Sequence, residues 1–339
     1  MFDDALLEDP AALRSADPAL RHLAESGARV RKEVGASAEE VASLDDTGRP
    51  RAVVVAGRDA RLVRAVLESS CPVPFVVWAG PGLPGWAGAL DLVVVLAQTD
   101  ADESALSTVA EAVRRGCGLV VACPAGSAAA ELGGGRYSAT LTTTTDDPLA
   151  GTVVLLAAMR QMGLAPHTDG EEVASVLDDV AVDCSPFRDV GNNPAKDLAL
   201  AIGDGTPLLW GGSVLAGRAA RRVAEAMRRT TGRIALAGET EHLLPVIEAT
   251  PPRDVFADPF EDGGQLDRRC LVVLDDGTDD TVISDARTSL TDASERRDLR
   301  VEAVTAGHGS EVSRYASLLS TGGYTAVYLG VALARDGRG

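Results

Sequence analysis

The chain has 339 residues, of which 45% are hydrophobic and 24% are charged, and its formal net charge is −18. This length suits two domains of ordinary size, and the composition is that of a globular protein that can bury a core. The strong negative charge excludes nucleic acid as a partner, because binding to phosphates needs a basic surface.

The first half of the chain alternates between predicted strands and helices, after an N-terminal region (1–45) that is helical in pattern with starts at Asp9-Pro10 and Asp17-Pro18. Four apolar runs predict strands at 52–56, 73–78, 91–96 and 118–122. Helical patterns cover 58–68, 102–115, 147–163 and about 170–183. Continuous apolar strands separated by helices are typical of a parallel sheet covered on both faces.

The same alternation starts again after Cys184-Ser-Pro-Phe187. The predicted strands are 207–211, 233–237, 270–274 and 299–304, and the predicted helices are 194–202, 213–229, 280–297 and 309–334. The sequence therefore predicts an α/β fold of two doubly wound lobes, each a parallel sheet flanked by helices. We place the N-terminal lobe with its leading helix at 1–186 and the C-terminal lobe with its long final helix at 187–339.

The expected location of the protein follows from two absences in the sequence. No apolar run reaches the about 18–20 residues that span a bilayer, and the acidic N-terminus is unlike a signal peptide. The five cysteines form no Cys-x-x-Cys pair, and several adjoin apolar runs. We expect a cytoplasmic protein with no membrane partner and with reduced, mostly buried thiols.

Ligands of doubly wound sheets bind beyond the carboxyl ends of the strands. The turn after the first strand, 56–60, carries Gly57 but neither a dinucleotide nor a P-loop signature, so Gly57 is interpreted first as a residue that permits a tight turn. The loop after the third strand offers one hydroxyl, Thr99, followed by acids. Asp100 or Asp102 is predicted to cap a helix, because these carboxylates would repel a phosphate.

Three other clusters admit both a functional and a structural interpretation. The acidic turn 275–280 could suit a hard cation, but a turn leading into a helix N-terminus is the simpler explanation, so no metal or cofactor is expected. Arg218, Arg222 and Arg229 share a helical stripe that could face a phosphate, although Glu225 on that stripe favours surface ion pairs. His242 follows a predicted strand, where it could transfer protons or simply face solvent.

A resemblance to a known family rests on Gly191-Asn-Asn-Pro-Ala-Lys-Asp-Leu-Ala199. This segment resembles the Asn-Pro-Ala-Lys-x-Leu-Ala stretch that opens the second lobe of the bifunctional phosphoglucose/phosphomannose isomerases, members of the sugar isomerase (SIS) superfamily. The segment 322–330 is similar to the closing helix of that family. The resemblance implies two SIS-like lobes, a sugar phosphate ligand and a homodimer, with Asn193 and Lys196 among the substrate-binding positions.

The resemblance also implies that much of the catalytic equipment is missing. The glycine-rich turn of the family corresponds to Gly57-Arg-Asp-Ala, and its phosphate loop corresponds to 97–102, where Thr99 keeps a hydroxyl. The catalytic glutamate corresponds to Arg229, which cannot act as a base near neutral pH. The histidine corresponds to Pro245, or to His242 if about three residues are deleted, so His242 is a candidate catalytic residue only.

Three functional hypotheses follow. The first is a phosphosugar-binding SIS protein of hexose-phosphate metabolism with eroded catalytic residues. The second is an active aldose–ketose isomerase acting on glucose 6-phosphate or mannose 6-phosphate, with His242 and Glu239 or Glu241 in a rearranged site. The third is a non-catalytic partner or regulatory protein.

Overall fold

The computed structural model describes residues 2–44, 48–251 and 268–333. Packing divides the chain into two compact units. One consists of the described parts of Glu25–Val176 with Gly309–Ser313, and the other of the described parts of Met1–Ala24, Leu177–His308 and Arg314–Gly339. The packing thus places residues 2–24 in the unit that contains the second sheet. The lobe boundary at 186/187 stays a prediction.

The N-terminal region is helical, as its pattern predicts, but it is broken into short pieces. A 3₁₀ turn at Asp4–Leu7 precedes four helices: α1 (Pro10–Ser15), α2 (Asp17–Ala24), α3 (Ser26–Ala36) and α4 (Ala38–Ala42). The predicted start at Asp9-Pro10 is confirmed, because the Asp9 carboxylate accepts hydrogen bonds from the Ala11 and Ala12 amides and Pro10 occupies the first helical position.

The unit of Glu25–Val176 is built around a five-stranded parallel sheet, called sheet A. Its strands are β1 (Val53–Ala56), β2 (Phe75–Trp78), β3 (Leu92–Leu96), β4 (Gly118–Pro124) and β5 (Ser138–Thr143), in the order β2-β1-β3-β4-β5. The order reverses between β1 and β3, where Val53 pairs with Leu92. Both strands are buried along their whole length, which explains their continuous runs of Val and Leu.

Helices cover sheet A between the strands. They are α5 (Ala60–Ser70), α6 (Glu103–Arg115), α7 (Ala128–Leu132), α8 (Pro148–Gln161) and, beginning in this unit, α9 (Gly170–Asp183). The α8 helix is apolar on nearly every face and packs on α3, α5 and the sheet. The core of this unit therefore consists of small aliphatic side chains, in keeping with an aromatic content of 4%.

The other unit contains a four-stranded parallel sheet, called sheet B. Its strands are β6 (Thr206–Gly211), β7 (Leu236–Ala237), β8 (Arg269–Asp275) and β9 (Arg300–Thr305), in the order β7-β6-β8-β9. Its helices are α10 (Pro194–Ile202), α11 (Val214–Thr231), α12 (Thr240–Glu248), α13 (Thr281–Glu295) and α14 (Glu311–Leu333), with a 3₁₀ turn at Val190–Asn192. The predicted fold class, two parallel sheets flanked by helices, is confirmed.

The last helix, α14, is long and apolar enough to cross a membrane by composition alone. About two thirds of its most apolar window (67%) is buried inside the protein. Tyr315, Tyr324 and Tyr328 are among its fully buried side chains. A helix so covered by its own chain is typical of a protein core.

Four elements differ from the sequence predictions. The strand β5 and the helices α7 and α12 were not predicted. The β5 sequence Ser-Ala-Thr-Leu-Thr-Thr is mostly polar because this strand lies at the edge of sheet A. The α12 helix contains Pro245, which weakens its pattern. The predicted strand 233–237 is shorter than expected, since only Leu236–Ala237 pairs in sheet B.

Candidate functional site

The carboxyl edge of sheet A brings together two of the predicted ligand-binding residues. Gly57 follows β1 with a φ of +102°, and a Cβ atom there would lie 2.7 Å from the carbonyl oxygen of Leu96 at the end of β3. Only glycine fits such a turn. Thr99, three residues after β3, is exposed and its Oγ1 accepts a hydrogen bond from the Ala101 amide. The two residues therefore follow adjacent strands, β1 and β3, at the reversal point, where doubly wound folds bind ligands.

The backbone amides of this edge are already bonded to carboxylates of the chain itself. Asp102 is the N-cap of α6, with Oδ1 accepting from the Ala105 amide at 3.0 Å and Oδ2 accepting from the Arg58 amide at 3.1 Å. Asp100 accepts from the Ala128 amide at the start of α7, also at 3.0 Å. The predicted capping role is confirmed for Asp102. A phosphate approaching these amides would have to compete with two fixed negative charges.

A third carboxylate fills the turn between β5 and α8. Glu33 on α3 is completely buried, and its oxygens accept hydrogen bonds from the amides of Thr144 and Thr145. Sequence reasoning missed this residue. Its one local signal is an acid on the buried face of α3, close to Val30.

A carboxylate of the chain also accepts hydrogen bonds at the start of α14, within the unit of sheet A. Glu172 accepts hydrogen bonds from the Ser310 amide and from the Ser313 hydroxyl, the latter at 2.7 Å. Mainly through the bond from the Ser310 amide, these contacts hold the pKa of the Glu172 carboxyl below its ordinary value. A Cβ at Gly309 would collide with this carboxylate, so the glycine and the acid form one arrangement.

The carboxyl edge of sheet B has its own reversal point, between β6 and β8. Ser213, the N-cap of α11, donates from Oγ to the buried carboxylate of Asp276 at 2.6 Å. The two residues before Ser213 are glycines, and a Cβ at Gly211 would meet the backbone of Ala216 at 2.3 Å. Sequence reasoning did not single out Ser213, although Gly-Gly-Ser after a strand was a signal for it.

Two arginines reach the same edge of sheet B. Arg314 on α14 donates from Nη1 to the backbone carbonyl of Asp276 at 2.7 Å, and Arg287 on α13 pairs with Asp275 at 2.8 Å. The Nε–H groups of both arginines are buried and have no hydrogen-bond partner within the described chain. Buried unpaired donors are rare and are commonly satisfied by water or a bound ligand. This edge therefore offers two buried cationic donors, one from each arginine.

The acidic turn 275–280 has the structural role that the sequence favoured. Asp280 caps α13 by accepting from the amides of Val282 and Ile283. Among the described residues, the one group whose side chains could jointly hold a metal ion lies elsewhere, at Glu239, Glu241 and His242.

Asn193 and Lys196 lie together at the start of α10, and both side chains are 1% exposed. Asn193 caps the helix through Oδ1 and donates from Nδ2 to the Ser185 carbonyl. The Lys196 ammonium donates to the carbonyls of Pro186 and Arg188, at 2.9 and 2.8 Å, and lies over the ring of Tyr328. Burial lowers the pKa of Lys196. These contacts are structural, and ligand binding by the two residues stays a prediction.

Arg229 and His242 are not brought together. Arg229 is the exposed end of the predicted arginine stripe on α11 and pairs with Glu225 at 3.1 Å, while Arg222 pairs with the same glutamate at 3.0 Å, which confirms the predicted ion pairs. It lies 16 residues beyond Ser213, about 24 Å along the helix, and therefore toward the amino edge of sheet B. His242 lies in the first turn of α12, directly after β7, and therefore at the carboxyl edge. It is exposed, and Glu239 beside it pairs with Arg221.

Comparison with known proteins agrees with this architecture. Residues 191–337 match the family described as the bacterial phospho-glucose isomerase C-terminal SIS domain. No curated protein sequence matches the chain.

Several solved structures share the fold at low sequence identity. The C-terminal domain of glucosamine-fructose-6-phosphate aminotransferase from Francisella tularensis superposes with a TM-score of 0.65 at 11% identity, covering 93% of this chain and 95% of that one. Tagatose-6-phosphate ketose/aldose isomerase from Escherichia coli superposes with a TM-score of 0.59 at 11% sequence identity, covering 93% of this chain and 92% of that one. A glucose-6-phosphate isomerase like protein from Thermus thermophilus superposes with a TM-score of 0.50 at 17% sequence identity, covering 89% of this chain and 91% of that one.

The matched segment begins at the Gly191-Asn-Asn-Pro stretch that caps α10, and the shared fold extends over both sheets. Residues 191–337 therefore resemble the bacterial phospho-glucose isomerase C-terminal SIS domain, and the chain as a whole shares its fold with these solved structures.

Proposed function

We propose that this chain is a SIS protein of hexose-phosphate metabolism that binds a sugar phosphate without isomerising it. The observation that carries the proposal is the pair of arginines at the carboxyl edge of sheet B, Arg287 and Arg314, whose buried Nε–H groups have no partner among the described residues. The loss of isomerisation is proposed because the resemblance places Arg229 at the position of the catalytic glutamate, and because α11 carries this residue away from that edge. A positioned base contributes about 10²–10⁴-fold to proton transfer.

The contacts at the carboxyl edges of the two sheets support a proposal in which the ligand binds weakly at sheet A and more favourably at sheet B. At sheet A, Asp102 and Asp100 hold the amides that a phosphate would need, so binding there has to overcome repulsion. At sheet B, the unpaired Nε–H groups of Arg287 and Arg314 can donate to an oxyanion. We therefore infer that the phosphate group of the ligand binds at the carboxyl edge of sheet B.

Proton NMR of the purified protein with fructose 6-phosphate in D₂O tests the proposal. We expect ligand line broadening without deuterium incorporation at C1 and without new aldose signals. Deuterium incorporation at enzyme rates would overturn the loss of isomerase chemistry. Arg287→Gln and Arg314→Gln should each reduce the broadening. Arg61→Gln, an exposed arginine on α5 in the unit of sheet A, is the charge-matched control.

An active isomerase with a rearranged site is the second candidate. It is favoured by one observation, the grouping of Glu239, Glu241 and His242, whose ligand atoms all lie within 4.8 Å of one another. A carboxylate beside an imidazole could divide proton transfer and ring opening between them. His242→Ala decides between the candidates if any turnover is found, because unchanged turnover would exclude His242.

A further inference from the structure

The carboxyl edge of sheet B holds a serine hydroxyl that is hydrogen-bonded to a buried carboxylate. The Oγ of Ser213 donates to Oδ2 of Asp276, with 2.6 Å between the two oxygens, and Asp276 is 5% exposed. Ser213 follows β6 and Asp276 follows β8, the adjacent strands between which the order of sheet B reverses. A serine within hydrogen-bond reach of a base has the geometry that activates a hydroxyl for nucleophilic attack.

The Asp276 carboxylate is itself held in place. Its Oδ1 accepts a hydrogen bond from the Thr278 amide at 3.2 Å, and the backbone carbonyl of Asp276 accepts one from Arg314 at 2.7 Å. These contacts fix the residue on the side away from Ser213 and leave Oδ2 for the serine hydroxyl. A base that is oriented by further groups is the third part of the arrangement that an activated nucleophile requires.

The turn before the serine consists of two glycines packed tightly between two helices. A Cβ on Gly211 would lie 2.3 Å from the backbone of Ala216 on α11, and a Cβ on Gly212 would lie 2.4 Å from Ile283 on α13. Gly212 is exposed and Ser213 is partly exposed, so a ligand can approach the hydroxyl. The Oγ accepts one hydrogen bond, from the Ala216 amide, which leaves a second lone pair for attack.

Groups that stabilise a phosphoryl group lie at the same edge as this serine. Ser213 is the N-cap of α11, a helix of 18 residues, so the first amides of the helix and its dipole favour an anion there. The buried Nε–H groups of Arg287 and Arg314 have no hydrogen-bond partner in the described part of the chain. Guanidinium donors bind phosphoryl oxygens and offset the charge that develops on them during transfer.

We infer that Ser213 is a nucleophile that accepts a phosphoryl group from a sugar phosphate, with Asp276 as its general base; the inference rests on the phosphate site proposed at this edge. In the first step Oγ bonds to phosphorus while the bond from phosphorus to the ester oxygen breaks. The Oγ proton passes to the Asp276 carboxylate. The ester oxygen leaves with the electron pair of the broken bond and takes a proton from solvent. The products are a phosphoserine at residue 213 and the free sugar.

Water completes the reaction in a second step. Asp276 first releases its proton to solvent and then accepts a proton from the attacking water molecule. The water oxygen bonds to phosphorus, the bond from phosphorus to Oγ breaks, and Oγ takes the proton back from Asp276. The sum is hydrolysis of a sugar phosphate to the sugar and inorganic phosphate. No proton moves at carbon, so this chemistry requires no base at residue 229.

Phosphate release from glucose 6-phosphate and mass spectrometry of the acid-quenched full chain test this inference. We expect turnover and a phosphorylated peptide that contains residue 213. Ser213→Asn keeps a side chain that caps helices but has no nucleophilic hydroxyl, so it should fold and lose both turnover and phosphorylation. Asp276→Asn should lower turnover about 10²–10⁴-fold, as loss of a positioned base does, without weakening the binding of inorganic phosphate. Loss of the fold would abolish both.

Ser313→Ala is the matched control and should leave turnover unchanged, because Ser313 also donates to a carboxylate, that of Glu172, but lies in the other unit. Calorimetry with inorganic phosphate separates this inference from the proposed site. Phosphate binding that Arg314→Gln weakens, without turnover or phosphoserine in the wild type, overturns the nucleophilic role and leaves the binding site standing. A wild type that binds no phosphate overturns both. Turnover that persists in Ser213→Asn overturns the role of Ser213.

Discussion

The backbone amide of Arg58 donates a hydrogen bond to the carboxylate of Asp102, with 3.1 Å between nitrogen and oxygen. This bond joins the turn after β1 to the start of α6, across the point where the strand order of sheet A reverses. The same carboxylate caps α6 through the Ala105 amide. An internal anion therefore occupies the place where this fold class offers amides to a ligand.

The first prediction concerns the charge of Asp102. Asp102→Asn should bind inorganic phosphate at the edge of sheet A roughly tenfold more tightly than the wild type does there, in addition to the site proposed at sheet B. The substitution removes a negative charge from this edge, and at about 4 Å and an effective dielectric constant of about 20 the repulsion of a bound phosphate is an upper bound of about 4 kcal/mol. Asparagine caps helices about as well as aspartate, so the fold should be retained. Isothermal titration calorimetry measures the affinity. Asp280→Asn, the same change at the N-cap of α13, should leave it unchanged. Equal affinities for Asp102→Asn and the wild type would contradict the role given to Asp102.

The second prediction concerns Arg229. Restoring an acid by Arg229→Glu should not restore isomerisation, since residue 229 lies toward the amino edge of sheet B. The variant should lose about 0.2–0.5 kcal/mol of stability, because it places two like charges four residues apart, at 225 and 229. Deuterium exchange at C1 of fructose 6-phosphate in D₂O is the readout. Exchange in the variant and not in the wild type would place residue 229 beside the reacting carbons.

The third prediction concerns the buried lysine. Lys196→Ala should lower the free energy of unfolding by about 2–4 kcal/mol, because it leaves the partly buried carbonyls of Pro186 and Arg188 without this donor and removes the packing on Tyr328. Urea denaturation measures the change. Lys32, the other lysine of the chain, is exposed on α3, so Lys32→Ala should stay within about 0.5 kcal/mol of the wild type. Similar losses of unfolding free energy in Lys196→Ala and Lys32→Ala would show that the contacts of Lys196 do not stabilise the fold.

The fourth prediction concerns pH. The lowered pKa of Glu172 means that its ionised form stabilises the folded state above the unfolded pKa, about 4.3, and that this stability is lost as the pH falls through the folded value. The wild type should therefore lose stability more steeply than Glu172→Gln in this acidic range. Thermal melting as a function of pH is the measurement. Glu171→Gln serves as the comparison, because Glu171 is exposed and its pairing with Arg31 is screened by solvent. A Glu172→Gln curve parallel to that of the wild type would rule out this linkage.

Much of the fold follows from local pattern. Continuous runs such as 52–56 and 91–96 predict buried parallel strands, and sheet A contains both, because a strand covered on both faces excludes polar residues. The cap at Asp102 is equally local, since the carboxylate bonds an amide three residues away. The strand β5 escaped prediction because its pairing with β4 outweighs the low apolar content of its own sequence.

The candidate site is harder to predict from the sequence than the fold is. The carboxylate of Glu33 meets the amides of Thr144 and Thr145, more than 110 residues away along the chain, and no local pattern reports that contact.

The sequence by itself determined most of the order of strands and helices, the two-lobed α/β class and the absence of a base at residue 229, because these depend on residue identity and local periodicity. Only the tertiary structure decided which hydrogen-bond or ion-pair partner each charged side chain has. It placed Asp102 on the Arg58 amide and buried Lys196 among carbonyls. The physical reason is that apolar burial requires only the right face of each element, whereas hydrogen bonds and ion pairs require particular atoms from distant segments within about 3 Å of one another.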